Sequence, residues 1–485
     1  MTLLRQLIIH KFISFVAILS LAACSFSLQR PISHTTVGSS QTFYVDGQKG
    51  LDTNPGTSRE RPWRTIQKAA DSVRPGDTIT VLPGSYAERV NINQGGAEGA
   101  PVVFQAEGSV TTNGFTIQAH YVTLRGFTIT NTPDDVREGW GVYVTNHDCV
   151  IENNTITSAT RGGVLLSAVP GAETNTANCI IRNNRLSRNA MVGIEVNGRN
   201  HLVENNDISG TIQYHPAWKN PPVYVDADGI RFFGSGHTIR GNTIHDIRYG
   251  IPENVNPHID CFQTWAGQDR ESASNILFEQ NFCDNDQIQA SNQAGQGFML
   301  DGANNLTIRN NVIKAFRLVN AVNCLNLNII NNALVSDPHL STPDGPTGIG
   351  LSNTRYATII NNIFYGISGP IIYTRDTSSQ NSLETSNNLV FVQAGIKPTG
   401  NPAPGDIWNV DPLFVNPAAN DFHLQVESPA IDAGTEIPSL TVDMDGNPRP
   451  QGKTIDIGAY ETQQYRSLIP LIDQIHRQQG RAVMP

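Results

Sequence analysis

The sequence predicts an all-β chain wound as a solenoid. Three observations carry that expectation: a repeated strand-turn-strand unit, an asparagine at one corner of every repeat, and a composition of 42 glycines with only 16% charged residues. The repeats read "GVYVTNHDCVIENNTI", "GIEVNGRNHLVENNDI", "GIRFFGSGHTIRGNTI", "GFMLDGANNLTIRNNVI" and "GIGLSNTRYATIINNIF". Their corner residues fall at Asn154, Asn184, Asn206, Asn242, Asn281, Asn311, Asn332, Asn362 and Asn388, with gaps of 21 to 39 residues. A coil of about 22 residues, carrying loops of variable length at one corner, accounts for that spread. Asparagine amides can bond from rung to rung, and asparagine tolerates the left-handed backbone of a sharp corner.

The first residues read as an address. Arg5, His10 and Lys11 precede the apolar run "FISFVAILSLAA", too short for the roughly 20 residues of a membrane span. The sequence Leu21-Ala22-Ala23-Cys24 resembles the lipobox of bacterial lipoproteins, which implies an exported chain lipidated at Cys24. The expected order is a signal peptide over 1–23, a tether over 24–41, an N-terminal cap and first coils over 42–105, and coils over 106–400. A C-terminal module over 401–461 and a tail over 462–485 follow. A solenoid leaves strand edges open at both ends, so the helix expected at Thr65 to Val73 and the C-terminal module are read as covers for them. The 39% hydrophobic content suits a large core, and the net charge of −10 argues against nucleic acid as a partner. Contact with a membrane is expected only through the lipid, and the chain is expected to act as a monomer.

Cys149 and Cys179 hold equivalent places in "CVIENN" and "CIIRNN". Two readings stand for them, a disulfide in an oxidising compartment or two reduced core thiols. No cysteine pair has zinc spacing.

Side-chain alternation places Ile194, Val196, Ile230, Phe232, Phe262, Thr264, Phe298 and Leu300 inward. It turns Glu195, Asn197, Arg231, Phe233, Gln263, Trp265, Met299 and Asp301 outward. Asp228 and Asp260 each precede the first strand residue of their coils, which stacks them at a strand spacing of about 4.8 Å. Two carboxylates that close need a compensating cation or basic group. Asp226, His258 and Asp301 fall near them in sequence pattern, and loops inserted at 211–226, 247–259 and 284–295 suggest a cleft.

On these repeats the chain resembles the right-handed parallel β-helix proteins of pectate lyase-like fold over nearly its whole mature length. "DADGIRF" followed by "HIDCFQTW" is similar to the calcium-binding pattern of the family nine pectate lyases. That resemblance implies Asp228 and Asp260 as Ca²⁺ ligands, although Gln263 stands where the family has another aspartate, and Lys219 is a distant substitute for the base. "DADGI", "HIDC" and "GQGF" are similar to polygalacturonase motifs, with Ile259 in place of the general acid and Gln296 in place of the histidine. The expected partner is an extracellular polysaccharide, cleaved by β-elimination at a uronate or by hydrolysis, or bound without cleavage by a surface adhesin. In elimination Asp228 and Asp260 would hold Ca²⁺, while Arg231, Lys219 or His258 would act as base or charge stabiliser. In hydrolysis Asp260 and Asp301 would supply a carboxylate span of about 6.5–9.5 Å. Phe233 and Trp265 would form a platform for a sugar ring, beside Glu195, Asn197 and Gln263.

Overall fold

The computed structural model describes residues 39–168, 176–219, 226–247, 258–267, 270–285, 295–337 and 346–462. The expected signal peptide, Cys24, nearly all of the tether and nearly all of the tail lie outside the described residues, as do parts of the three inserted loops.

Among the described residues the chain winds through three parallel sheets of 13, 13 and 11 strands. The first sheet begins at Thr42–Val45, the second at Gly84–Tyr86 and the third at Val90–Ile92. One coil shows the path: Val192–Val196 in the third sheet, Leu202–Glu204 in the first, Asp207–Ser209 in the second, and Ala227–Phe232 back in the third. Inward residues from all three sheets merge into one apolar column running from Val45 to Val390. Near its middle, Phe262 stacks on Phe298 with ring centroids 4.6 Å apart, and Phe278 closes edge-on against both.

The corner between the first and second sheets shows why asparagine recurs in pairs. The second residue of each pair turns inward and forms a continuous ladder. Asn332, for example, accepts from the backbone N–H (3.0 Å) and Nδ2 (2.9 Å) of Asn311, and itself donates to Asn362 Oδ1 (2.9 Å) and Ile308 O (2.9 Å). The same pattern links Asn154 through Asn388, all of them buried. The first residue takes the left-handed conformation, with φ between 51° and 62° at Asn153, Asn183, Asn205, Gly241, Gln280, Asn310, Asn331, Asn361 and Asn387. Its side chain points outward and is free for another task.

That task is holding the C-terminal module. Gln280 donates to Asp443 O, Asn310 to Val442 O, Asn331 to Asp456 O and Asn361 to Thr435 O, at 2.6 to 2.8 Å. Beside this seam the outer face of the second sheet is apolar at Val312, Ala333, Ile363 and Leu389, and Phe414, Phe422 and Ile457 cover it. The module therefore lies along the side of the coils, where the sequence reading placed it over the open end. Apolar surface on that flank is what draws it there. Strand Ile407–Trp408 still pairs with Leu389–Phe391, so the coils run past residue 400. Asp443 accepts four hydrogen bonds from Asp445, Asn447 and Glu461 within the module, a turn-forming role.

At the other end the short helix Ile66–Ala70 begins one residue after the expected Thr65, whose side chain caps it by accepting from the Lys68 N–H. Ile66, Ala69, Ala70 and Val73 enter the core.

Cys149 and Cys179 are buried free thiols at equivalent corners, bonded to backbone carbonyls, so the reduced reading describes them. The disulfide joins Cys261 to Cys283 instead. Its location has a packing origin. In neighbouring coils the first bend of the third-sheet strand is glycine, because a Cβ there would come within 2.4 to 2.6 Å of an isoleucine across the core. The pairs are Gly193 with Ile208, Gly229 with Ile244, and Gly297 with Ile313. In the coil between the last two pairs, Cys261 takes the glycine position and Cys283, in register with Ile244 and Ile313, takes the isoleucine position. A bridge of sequence separation 22 is expected to contribute about 3 kcal/mol. In chemical denaturation, Cys261→Ala with Cys283→Ala should lose that amount. Cys261→Gly with Cys283→Ile should recover part of it by restoring the neighbouring packing, and equal losses in the two pairs would refute this origin.

Candidate functional site: the outer face of the third sheet

Strand pairing places Asp228 beside Asp260 in the third sheet, with Val192 below and Gln296 above. Both aspartates are fully buried. Their environments differ. Asp228 Oδ2 accepts from Arg231 Nε at 2.6 Å, and its Oδ1 accepts the Asp260 backbone N–H at 3.1 Å. No hydrogen bond of ordinary geometry reaches either carboxyl oxygen of Asp260 from the described residues, although the Gln296 side chain lies close enough to act on it. Burial pushes the Asp228 pKa up to about 7, with Arg231 opposing. Burial also holds Asp260 well above the usual carboxylate range, reinforced by the charges of Asp228 and Asp226 and opposed by Arg231 and the Gln296 amide.

Arg231 belongs to an outward column that runs Glu195, Arg231, Gln263, Met299, Asn320. Beside it Phe233 and Trp265 meet edge to face at 4.7 Å. The expected face is therefore assembled, but it is covered: Phe233 is fully buried, Glu195, Asn197 and Gln263 are buried, and Trp265 and Met299 are half-buried. Arg270, which the sequence reading did not single out, supplies much of the cover. Its guanidinium lies 4.5 Å from the Phe233 ring centroid and 5.1 Å from that of Trp265, while bonding Glu195. The two rings thus form a cation–π sandwich among side chains and not an open platform. Nothing in "GQDRES" marks this arginine in advance.

Other expected members settle at different distances. Asp226 accepts from the His258 backbone N–H (2.8 Å) and from Gln263 Nε2 (3.2 Å), which brings exposed His258 to the margin of the cluster. Asp301 is not placed for hydrolysis. Gln296 is the residue opposite Asp260, so Asp301 lies five residues farther along its strand, about 17 Å away and beyond the span an inverting pair needs. Asp301 instead accepts from Asn323 Nδ2 at 3.0 Å. Exposed Lys219 is bound through its backbone N–H to Asp134, at the coils that carry Thr160 and Asp134, and is not brought to the aspartate pair.

Among the described residues the donor set does not suit calcium. A divalent ion needs several oxygen ligands, yet the Arg231 guanidinium already occupies Asp228, and no group of three or more acidic, histidine or cysteine ligands is assembled among the described residues. Arg231 provides the compensating charge that two stacked aspartates require.

A carboxyl with a raised folded pKa binds more protons folded than unfolded, so its contribution to stability falls as pH rises from the unfolded value of 3.8 through the folded one. Asp260→Asn is therefore expected to be more stable than the parent near pH 8 and equal to it near pH 4 in denaturant unfolding. A constant difference across that range would show that Asp260 does not titrate abnormally.

The architecture defined by these three sheets is a right-handed parallel β-helix of pectate lyase-like fold. The family described as "Right handed beta helix region" matches residues 110–315, and one described as "Protein of unknown function (DUF1565)" matches residues 48–113. The protein YwoF of Bacillus subtilis (strain 168), described as uncharacterized, is 34% identical over 68 residues, a stretch that spans 14% of this chain and 14% of YwoF. Among solved structures, the complex of XylC with xylose superposes with a TM-score of 0.53 at 12% identity, covering 87% of this chain and 98% of that one. The GH136 lacto-N-biosidase from Eubacterium ramulus gives 0.45 at 14% identity, covering 72% and 67%. The pectate lyase Pel9A gives 0.43 at 18% identity, covering 88% and 97%. At these identities the likeness is one of fold.

Proposed function

We propose that the protein is an exported enzyme, anchored through a lipid on Cys24, that cleaves a uronate-containing extracellular polysaccharide by metal-independent β-elimination. The observation that carries this reading is the in-register pair with divided environments: Asp228 held by Arg231, and Asp260 beside the Gln296 side chain with no hydrogen bond of ordinary geometry. A base works best with a pKa near the operating pH, and Asp228, at about 7, meets that condition. Asp260, held well above the carboxylate range, is the protonated partner. The Asp228 carboxylate takes the proton beside the uronate carboxyl, the bond to the departing glycosidic oxygen breaks, and Asp260 delivers its proton to that oxygen. Arg231 stabilises the charge that develops between these events. Proton return from Asp228 to Asp260 across the shared strand spacing resets the pair. Both carboxyls are fully buried, so the reaction requires an opening movement above the third sheet, with His258 and Trp265 at the margin where a chain would enter.

The test is incubation with polygalacturonate, alginate and related polymers, with and without a chelator. Ultraviolet absorbance from an unsaturated uronate end should grow equally in both, and should fall by at least about a hundredfold in Asp260→Asn. New reducing ends without that absorbance would mean hydrolysis. The complete burial of the pair favours a second reading, a surface protein that binds glycan without cleaving it. Binding with neither product would establish that reading.

A further inference from the structure

We propose that the outer face of the first sheet, where the C-terminal module leans over it, is a binding groove for a neutral linear glycan, separate from the aspartate pair. The groove encloses about 490 Å³ between strands of the first sheet and the module segment 437–440. That volume is within the range of small-ligand sites and suits one or two sugar rings.

Its floor is a polar ladder set by register. Asn275 and Asn305 line it, and Asn326 continues their left-handed column into the next coil beyond the lining, with φ of 54°, 54° and 55°; all three are exposed. Asn305 Nδ2 donates to Asn275 Oδ1 at 2.7 Å, a bond that uses neither Asn275 Nδ2 nor Asn305 Oδ1, a donor and an acceptor one rung apart on exposed side chains. Thr307 and Asn328 add a parallel hydroxyl and amide, and Ile437 and Leu440 of the module form an apolar wall. The column continues to Tyr356, also left-handed with φ of 57° and 61% exposed. A large aromatic held outward in a conformation that asparagine adopts more readily has no packing reason in the described structure, and its face is suited to the apolar side of a sugar ring.

Charge selects the class of glycan. Arg309, the charged side chain lining the groove, is spent on Glu279 Oε2 (2.8 and 3.1 Å) and Ser439 O (3.1 Å). What remains in the lining of the groove is uncharged amide, hydroxyl and hydrocarbon, which fits a neutral polymer; the nearest exposed cation on the column is Arg355, beside Tyr356 and outside that lining.

The inference does not depend on catalysis at the third sheet, because binding is read without turnover. Calorimetric titration of the full chain with linear neutral hexasaccharides of glucose, xylose and mannose should show binding of at least one. Asn305→Gly and Tyr356→Asn both keep the left-handed backbone without strain and remove the proposed contacts, so each should weaken that binding by about tenfold or more. Trp265→Ala should leave it unchanged. Absence of binding to all three, undiminished binding in both groove variants, loss in Trp265→Ala, or tighter binding of an oligouronate would each overturn the proposal.

Discussion

Replacing Asn332 by alanine should destabilise the protein by about 4 kcal/mol, an unusually large loss for one small polar side chain. The substitution removes three donated hydrogen bonds, to Asn362 Oδ1, Ile308 O and Ile330 O, and strips an acceptor from the backbone N–H and Nδ2 of Asn311. Every group left behind is buried, where water cannot replace the missing partner. Exposed Asn200 provides the contrast, since it has a positive φ of 56° and Asn332 does not. Alanine there should cost only the backbone strain, about 1 kcal/mol. Denaturant unfolding of the two variants separates ladder bonding from conformational preference. A loss at Asn332 no larger than that at Asn200 would mean that the ladder bonds contribute little.

The second large effect is expected at Arg231. Arg231→Ala removes the charge that opposes the burial of Asp228, so the carboxyl enters the fold protonated, and at neutral pH that proton uptake should cost about 3–5 kcal/mol. Because the loss comes from a carboxyl that is charged unfolded and neutral folded, adding Asp228→Asn should restore much of it. Lowering the pH toward 3.8 should do the same, since the unfolded carboxyl is then protonated as well. If the double variant is no more stable than Arg231→Ala, the arginine acts through packing and not through the ion pair.

Much of the winding is legible in the sequence because it rests on local patterns. The asparagine corners, the inward apolar columns and the registry of Asp228 with Asp260 all follow from counting residues between recurring positions. Features that join separate elements are harder to see. The outward role of Asn310, Asn331 and Asn361 depends on where the C-terminal module lies, which no local pattern states. The Cys261–Cys283 bridge left a trace, since both cysteines interrupt columns of glycine and isoleucine in adjacent coils. Comparing like positions between coils directs attention to Cys149 and Cys179, whereas the bridge crosses from one sheet to another within a single coil. Asp301 was misplaced by proximity in sequence pattern, because strand position decides distance in a solenoid as strongly as coil number does.

Burial is the other feature that alternation could not supply. Outward residues of the third sheet were expected to face a cleft, yet Arg270 arrives from a turn and closes over Phe233 and Trp265. The ion pair between Arg270 and Glu195 thereby links the cover to the same column that holds Arg231.

The central claim is that adjacent coils create one coupled acid-base pair from Asp228 and Asp260. Its most direct test is an NMR pH titration of isotope-labelled aspartate carboxyls in the full chain. One carboxyl should titrate near pH 7 and a second should remain protonated above it, with both signals altered by either Asp228→Asn or Asp260→Asn. Titration of every aspartate close to the ordinary value of 3.8, each indifferent to replacement of the other, would contradict it.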